Sequence, residues 1–385
     1  MDEIRIILDI ALILIAAKAF GQIAERFKIS HIVGEILAGL LLGPVLHIIY
    51  PASNEFLSLF SLIGVVVLLF LMGLYTKFDD IKDGIYPGIY TAIVASVVSL
   101  ASGIGIGYII FNSLEAGLVI GVVLMGTSSA IPIKMLVDMG EMKTRVGRLL
   151  ITTAMADDIM TLIALAAIST FFTFGAFQLW TIVALIFTVM GFIVVALTVG
   201  ERISNKILSV VQRLRDEEIM LVAPLVMLFV VAFVSQRIGV AAVTGAFLAG
   251  MAMSKSIFTE PVIMPKIKAI GYGFFIPIFF AYSALIIDLG LLMNNLWILA
   301  LLVIAGMSLK AISSGWMSGF FGMRGREKMI MAFGMMPRGE YGIVIAQIAL
   351  GLGVIANSLY GILIAFVAIS VILTPILFRI FVYRK

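Results

Sequence analysis

Long apolar runs dominate the chain, broken at irregular intervals by short charged or Pro/Gly-marked stretches. Cutting at those stretches gives thirteen segments, approximately 4–24, 30–49, 57–76, 85–111, 115–136, 145–171, 177–200, 216–236, 239–255, 267–288, 294–321, 327–351 and 355–380. Each has about the length a helix needs to cross a hydrocarbon layer, roughly 17–25 residues. Their interiors show no alternation of polar and apolar positions, so they predict helices and not barrel strands. The first segment follows Met1, Asp2, Glu3, Ile4 and Arg5; it lacks the basic start of a signal peptide and reads as a retained helix. The pattern predicts an all-α polytopic membrane protein with thirteen transmembrane helices.

Composition supports that reading. Of 385 residues, 62% are hydrophobic and 12% charged, whereas a soluble chain carries roughly 25% charged residues. The absence of cysteine removes disulfide scaffolds, thiolate metal sites and Cys nucleophiles together. With two histidines, a His-rich metal or haem site is not expected, and no cofactor is implied. The net charge of +4 follows membrane topology and does not indicate a nucleic-acid partner. Loops after odd-numbered helices, with the C-terminal tail, hold twenty of the 26 Lys and Arg residues, against Arg5 and Arg237 on the other side. Basic residues collect on the cytoplasmic side, which sets the N-terminus outside and the C-terminus in the cytoplasm of a multi-pass protein of the cell membrane. Of the four that remain, Lys18 and Lys134 lie within about two turns of a cytoplasmic end, where long side chains snorkel. Lys310 and Arg338 sit mid-helix and require another reason.

Two stretches recur seven helices apart. Helix 2 carries Val33-Gly-Glu-Ile-Leu-Ala-Gly-Leu-Leu-Leu-Gly43, and helix 9 repeats its small-residue spacing in Val243-Thr-Gly-Ala-Phe-Leu-Ala-Gly-Met-Ala-Met253. Helix 3 ends Phe70-Leu-Met-Gly to Asp79, and helix 10 ends Phe279-Phe-Ala-Tyr to Asp288. An odd offset makes the repeat inverted, an arrangement common in secondary transporters. The same offset pairs helix 5, with Gly126-Thr-Ser-Ser-Ala-Ile-Pro132, and helix 12, with Gly334-Met-Met-Pro-Arg-Gly-Glu-Tyr-Gly342. Proline removes a backbone donor and glycine lowers the cost of unwinding. Both helices are therefore expected to break there, around a binding site and not merely at a kink.

Charge within the apolar runs points to the chemistry. Asp157 and Asp158 fall at the centre of helix 6, where an acid is costly unless paired or wetted. Adjacent helical residues point about 100° apart, so one carboxylate can face a basic partner, with Lys310 the best candidate, while the other faces a cavity. A carboxylate that releases a proton becomes a hard oxygen ligand, suited to Na⁺ or Li⁺ in a shell completed by the hydroxyls of Thr127 and Ser128 and free backbone carbonyls. Proton and cation competing for one carboxylate exchange without further machinery.

With these residues in view, the chain resembles the monovalent cation:proton antiporter superfamily, in its second branch, and most closely the bacterial and archaeal sodium/proton antiporters with an Asp-Asp motif. The matching stretches are His31 to Pro44, Leu68 to Leu74, Gly126 to Leu136, the Asp157–Asp158 region, Phe279 to Asp288 and Met336-Pro-Arg-Gly-Glu340. The resemblance implies a homodimer with a scaffold and a moving, elevator-like core that holds two crossed, broken helices. It divides the chain into 1–84 (scaffold, helices 1–3), 85–171 (core, helices 4–6), 172–215 (linker helix 7 and a cytoplasmic loop), 216–292 (scaffold, helices 8–10) and 293–385 (core, helices 11–13). It implies Asp158 as principal carrier of H⁺ and Na⁺, and Asp157 as a second ion- and proton-binding carboxyl that partners Lys310, in a pair that opens when a cation binds. Arg338 and Glu340 would compensate charge at a broken helix. Relatives with Asp-Asp plus Lys exchange electrogenically, which is the expectation here. Ser128 stands where some relatives place an acid, which bears on selectivity. The lack of a nucleotide-binding domain weighs against a potassium-efflux (Kef-like) transporter, leaving K⁺/H⁺ exchange as the alternative.

Other readings fare worse. Intramembrane aspartyl proteolysis needs two acids facing across a gap, and adjacent acids on one helix cannot flank a peptide bond. A channel would need a filter sequence, and none is visible. Gly103-x-Gly-x-Gly107 reads as helix packing, Glu35 as packing or gating, and His31 as an incidental interfacial residue. Asp216, Glu217 and Glu218 suit the positive end of helix 8.

Overall fold

In a computed structural model of the protein, residues 3–27, 30–50, 55–75, 85–128, 131–132, 135–136, 139–174, 187, 191, 194–213, 218–238, 242–254, 256 and 259–382 are described. Asp79, Lys134, Asp216, Glu217 and most of the seventh apolar segment lie outside them. The described residues are helical apart from short connections. In chain order the helices are α1 (Glu3–Arg26), α2 (His31–Leu40), α3 (Glu55–Tyr75), α4 (Ile85–Phe111), α5 (Leu114–Met125), α6 (Arg145–Phe174), α7 (Glu201–Arg213), α8 (Ile219–Arg237), α9 (Ala242–Met253), α10 (Met264–Ile270), α11 (Ile276–Leu285), α12 (Leu289–Asn294), α13 (Leu296–Phe320), α14 (Arg326–Gly334), α15 (Glu340–Gly351) and α16 (Asn357–Phe381). By length and composition, eight helical stretches among the described residues are long and apolar enough to cross a membrane, and four shorter ones are apolar.

Local chemistry accounts for the ends. Ser30 Oγ accepts from Ile32 N at 3.4 Å to cap α2, and Ser113 Oγ accepts from Ala116 N at 3.1 Å to cap α5. These caps satisfy backbone donors that a helix start leaves orphaned. Past Leu40, α2 widens into a π-type turn over Leu41–Val45. Pro44 within it cannot donate, and a wider turn re-pairs the surrounding groups.

Two boundaries differ from the sequence reading. The segment expected at 267–288 starts earlier, running from Thr259 through two π-type turns to Leu285. Its expected end, Asp288, is instead the cap of α12, with Oδ1 accepting from Leu291 N at 3.0 Å. The stretch assigned to a cytoplasmic loop contains α7. Its apolar residues Ile203, Ile207 and Val211 recur at helical spacing among charged ones, a pattern that charge-based cutting discards.

The chain forms two compact units. The first gathers Met1–Ile15, Tyr50–Asp80 and Ala166–Tyr282; the second gathers Ala16–Ile49, Ile81–Leu165 and Ser283–Lys385. Within the first, α3 and α9 touch backbone to backbone: a Cβ on Gly73 would stand 2.0 Å from Phe247 O, and one on Gly250 2.1 Å from Phe70 O. The second unit uses the same device between α4 and α5. A Cβ on Gly103 would meet Gly121 Cα at 2.3 Å, and one on Gly107 would meet Gly117 Cα at 2.2 Å. Small residues that let helices approach this closely are the main packing device where lipid removes the hydrophobic drive. Gly105, between them, faces open space. A hydrophobic cluster of Leu149, Leu150, Ile330, Met331, Met335 and Phe378 joins α6, the end of α14 and α16.

Candidate functional site

The site is built where two helices stop in mid-course, and all of it lies in the second unit. α5 ends at Met125, and Gly126 turns the chain into extended conformation at φ −67°, ψ 126°. α14 ends at Gly334, and Pro337, which cannot donate in a helix, precedes the start of α15 at Glu340. The two extended breaks cross as an antiparallel pair. Thr127 is bridged to Arg338, and Ser128 N donates to Pro337 O at 2.9 Å. Close approach requires Gly339, where a Cβ would stand 2.8 Å from Ser128 Cα.

Asp157, on α6, is fully buried beside this crossing. Its Oδ1 accepts from Lys310 Nζ at 2.5 Å and from Ser96 Oγ at 2.6 Å, and its Oδ2 accepts from Thr127 N at 3.1 Å. Lys310, on α13 and also fully buried, donates a second bond of 2.5 Å to Met125 O. One ammonium therefore pairs with an acid and neutralises the negative end of a half-helix. Thr161 Oγ1 returns to Asp157 O at 2.8 Å, leaving that hydroxyl within its own helix.

Asp158 is 5% exposed and Glu340 3%, while Arg338 has no exposure. Arg338 N donates to Ser370 Oγ at 2.9 Å and its Nη2 to Gly306 O at 2.5 Å; its Nε and Nη1 make no hydrogen bond among the described residues. Glu340 occupies the first turn of α15, where the helix dipole favours an acid. Thr127 and Ser128 are buried in the first break, and Thr127 Oγ1 makes no hydrogen bond among the described residues. The fold thus gathers Thr127, Ser128, Asp157, Asp158, Lys310, Arg338 and Glu340 around one crossing.

Several participants were not singled out from sequence: Ser96, Ser370 and the carbonyls of Met125 and Gly306. Other charges read in the sequence fall elsewhere in the same unit. Lys18 Nζ lies 3.5 Å from Glu35 Oε1, with Glu35 buried and Lys18 half-exposed, and His31 Nδ1 lies 3.8 Å from Glu25 Oε1.

The arrangement offers oxygen atoms of the kind a monovalent cation takes: the Asp158 carboxyl and the hydroxyls of Thr127 and Ser128. Known proteins match it over nearly its whole length. The family model described as "sodium/hydrogen exchanger, transmembrane" matches residues 10–383. The Na(+)/H(+)-K(+) antiporter GerN of Bacillus cereus is 27% identical over 374 residues, 97% of this chain and 95% of that protein. A Na(+)/H(+) antiporter of Enterococcus hirae is 25% identical over 373 residues, 97% of each. The solved structure of the sodium proton antiporter MjNhaP1 from Methanocaldococcus jannaschii has the same fold, with a TM-score of 0.78 over 100% of this chain and 99% of that one at 18% identity.

Proposed function

The chain belongs to the sodium/hydrogen exchanger family, and from that premise we propose the exchange it performs: Na⁺ or Li⁺ against H⁺, with both ions competing for the carboxyl of Asp158. Coarsely, it is a multi-pass membrane antiporter of cations and protons, not an enzyme. The observation that carries the assignment of Asp158 is the bonding of its neighbour. Both oxygens of Asp157 are engaged by Lys310, Ser96 and the Thr127 amide, which suits a residue that holds the crossing together. Asp158, next to it, turned about 100° around α6 and 5% exposed where Asp157 is fully buried, is the carboxyl assigned to the exchanging ion.

Charge balance supports the competition. The buried groups are three carboxyls, Asp157, Asp158 and Glu340, against the two cations Lys310 and Arg338. Fully ionised, they carry one surplus negative charge, which one proton or one alkali ion neutralises. Uncompensated charge in a low-dielectric setting is expensive, so the empty ionised site resists crossing and each passage carries one ion or the other. A carboxylate with hydroxyl and carbonyl oxygens suits a small hard cation. The Enterococcus hirae relative is named for Na⁺ and H⁺ alone, which favours Na⁺. The name of GerN adds K⁺, and K⁺/H⁺ exchange is the second reading.

The finer picture includes alternating access by an elevator-like core within a homodimer. The protein would sit in the cell membrane with its N-terminus outside, as the distribution of basic residues favours. The test is reconstitution in proteoliposomes, with collapse of a pH gradient on adding Na⁺, Li⁺ or K⁺. Wild type is expected to respond to Na⁺ and Li⁺, and Asp158→Asn to none of the three. Wild-type rates in Asp158→Asn would end the carrier assignment, and a response to K⁺ alone would move the reading to its alternative.

A further inference from the structure

Tyr341 follows Glu340 in the first turn of α15 and has no exposed surface. It packs directly against the first break, since a Cβ added to Gly126 would stand 3.2 Å from Tyr341 Cβ. A buried tyrosine ordinarily spends its hydroxyl on a partner. Tyr360 does so, donating to Ser283 O at 2.7 Å. The Tyr341 hydroxyl makes no hydrogen bond among the described residues. A bare buried hydroxyl is a net cost, and phenylalanine would fill nearly the same space without it.

The charges acting on this hydroxyl are those of the site. Asp158, Glu340 and Asp157 all lie close enough to act on it. The carboxyl assigned to the exchanging ion is thus among its charged neighbours. Across the crossing, Thr127 Oγ1 is a second buried hydroxyl that makes no hydrogen bond among the described residues. Two hydroxyls held without hydrogen bonds, one on each broken helix, are neutral oxygens of the kind an alkali cation takes as ligands.

We propose that Tyr341 is a specificity-determining residue of the transport site, its hydroxyl serving as a neutral oxygen ligand for the cation beside Asp158. The proposal rests on the reading of Asp158 as the carrier. A neutral ligand adds no charge to the cluster, so it tunes which cation is held and how tightly without changing the charge moved. Its loss bears hardest on the smaller ions, whose dehydration costs most and whose few ligand oxygens each carry more of the compensation.

Tyr341→Phe removes the oxygen alone. In proteoliposomes, KM for Na⁺ and Li⁺ is expected to rise about fivefold, the effect of one lost interaction. KM for K⁺ should change less, and kcat should fall by less than KM rises. In detergent, the thermal stabilisation given by Li⁺ shrinks, while the melting temperature without alkali ion equals or exceeds that of wild type. A purely structural role would lower that melting temperature and move kcat and KM together. An unchanged KM for all three ions overturns the proposal, and so does failure of the variant to fold. Asp158→Asn, run alongside, separates the two claims. If it abolishes exchange while Tyr341→Phe keeps wild-type affinities, only the role of Tyr341 falls; if it retains exchange, the underlying reading falls first.

Discussion

The Lys310–Asp157 pair has no exposed surface on either side. Desolvating two charges is costly, and removing one partner leaves the other buried alone, a loss of about 3–5 kcal/mol in comparable sites. Lys310→Gln is therefore expected to lower stability sharply. The double variant Asp157→Asn/Lys310→Gln should recover much of the loss, because two amide side chains replace the pair without stranding a charge. Thermal unfolding in detergent measures both, and a double variant less stable than Lys310→Gln would contradict this account of the pair. Asp157, Asp158 and Lys310 stood out in the sequence because charge in an apolar run is costly and so calls for explanation. Ser96 did not. Along the same helix Ser99 Oγ donates to Ala95 O and Ser102 Oγ to Ser99 O, at 2.8 Å each and within the helix, while Ser96 reaches Asp157. Serines of either kind look alike until the neighbouring helix is in place.

At the scale of elements, the two breaks were legible because proline and glycine act locally. Their crossing was not, since the bridge from Thr127 to Arg338 depends on a register between distant segments that no local pattern encodes. The amphipathic α7 was lost for another reason: its charges marked a loop to a reading based on long apolar runs. Polar anchoring of elements is equally silent in sequence. Arg326, opening α14, donates to Glu141 Oε1 at 2.8 Å and to Val382 O at 3.4 Å, tying the loop before α6 to the end of α16. The hydrogen bond from Arg326 holds the Glu141 carboxyl below the ordinary glutamate value of 4.5. A carboxyl so depressed stabilises the fold at neutral pH, and the contribution fades as pH drops below 4.5 and through the folded-state value. Both side chains are partly solvated, so the effect is small. Glu141→Gln should lower the melting temperature by about a degree at pH 7, with the difference from wild type disappearing in strong acid. A gap that widened on acidification would reverse the sign and exclude this role.

For the whole molecule, the question is how much charge one cycle moves. With Asp158 as the sole exchanging group, the cation-loaded and proton-loaded forms carry equal charge, and exchange would be electrically silent. Electrogenic exchange needs a second group whose protonation differs between the two passages. The Lys310–Asp157 pair is placed to be that group: it adjoins Asp158 and bonds both the acid and the end of α5. If cation entry opens the pair and releases its proton, more protons than cations move in each cycle. One net charge crossing 100 mV is worth about 2.3 kcal/mol, enough to shift the cation gradient held at equilibrium by up to ~50-fold. Proteoliposomes with a potassium-clamped potential, loaded at fixed pH, read this directly for Na⁺. An inside-negative potential is expected to enlarge the gradient of outward-driven Na⁺ in wild type and to leave it unchanged in whatever Lys310→Gln protein folds. Equal gradients at zero and 100 mV in wild type would mean that one proton exchanges for one cation, with the buried pair acting only as a brace for the crossed helices.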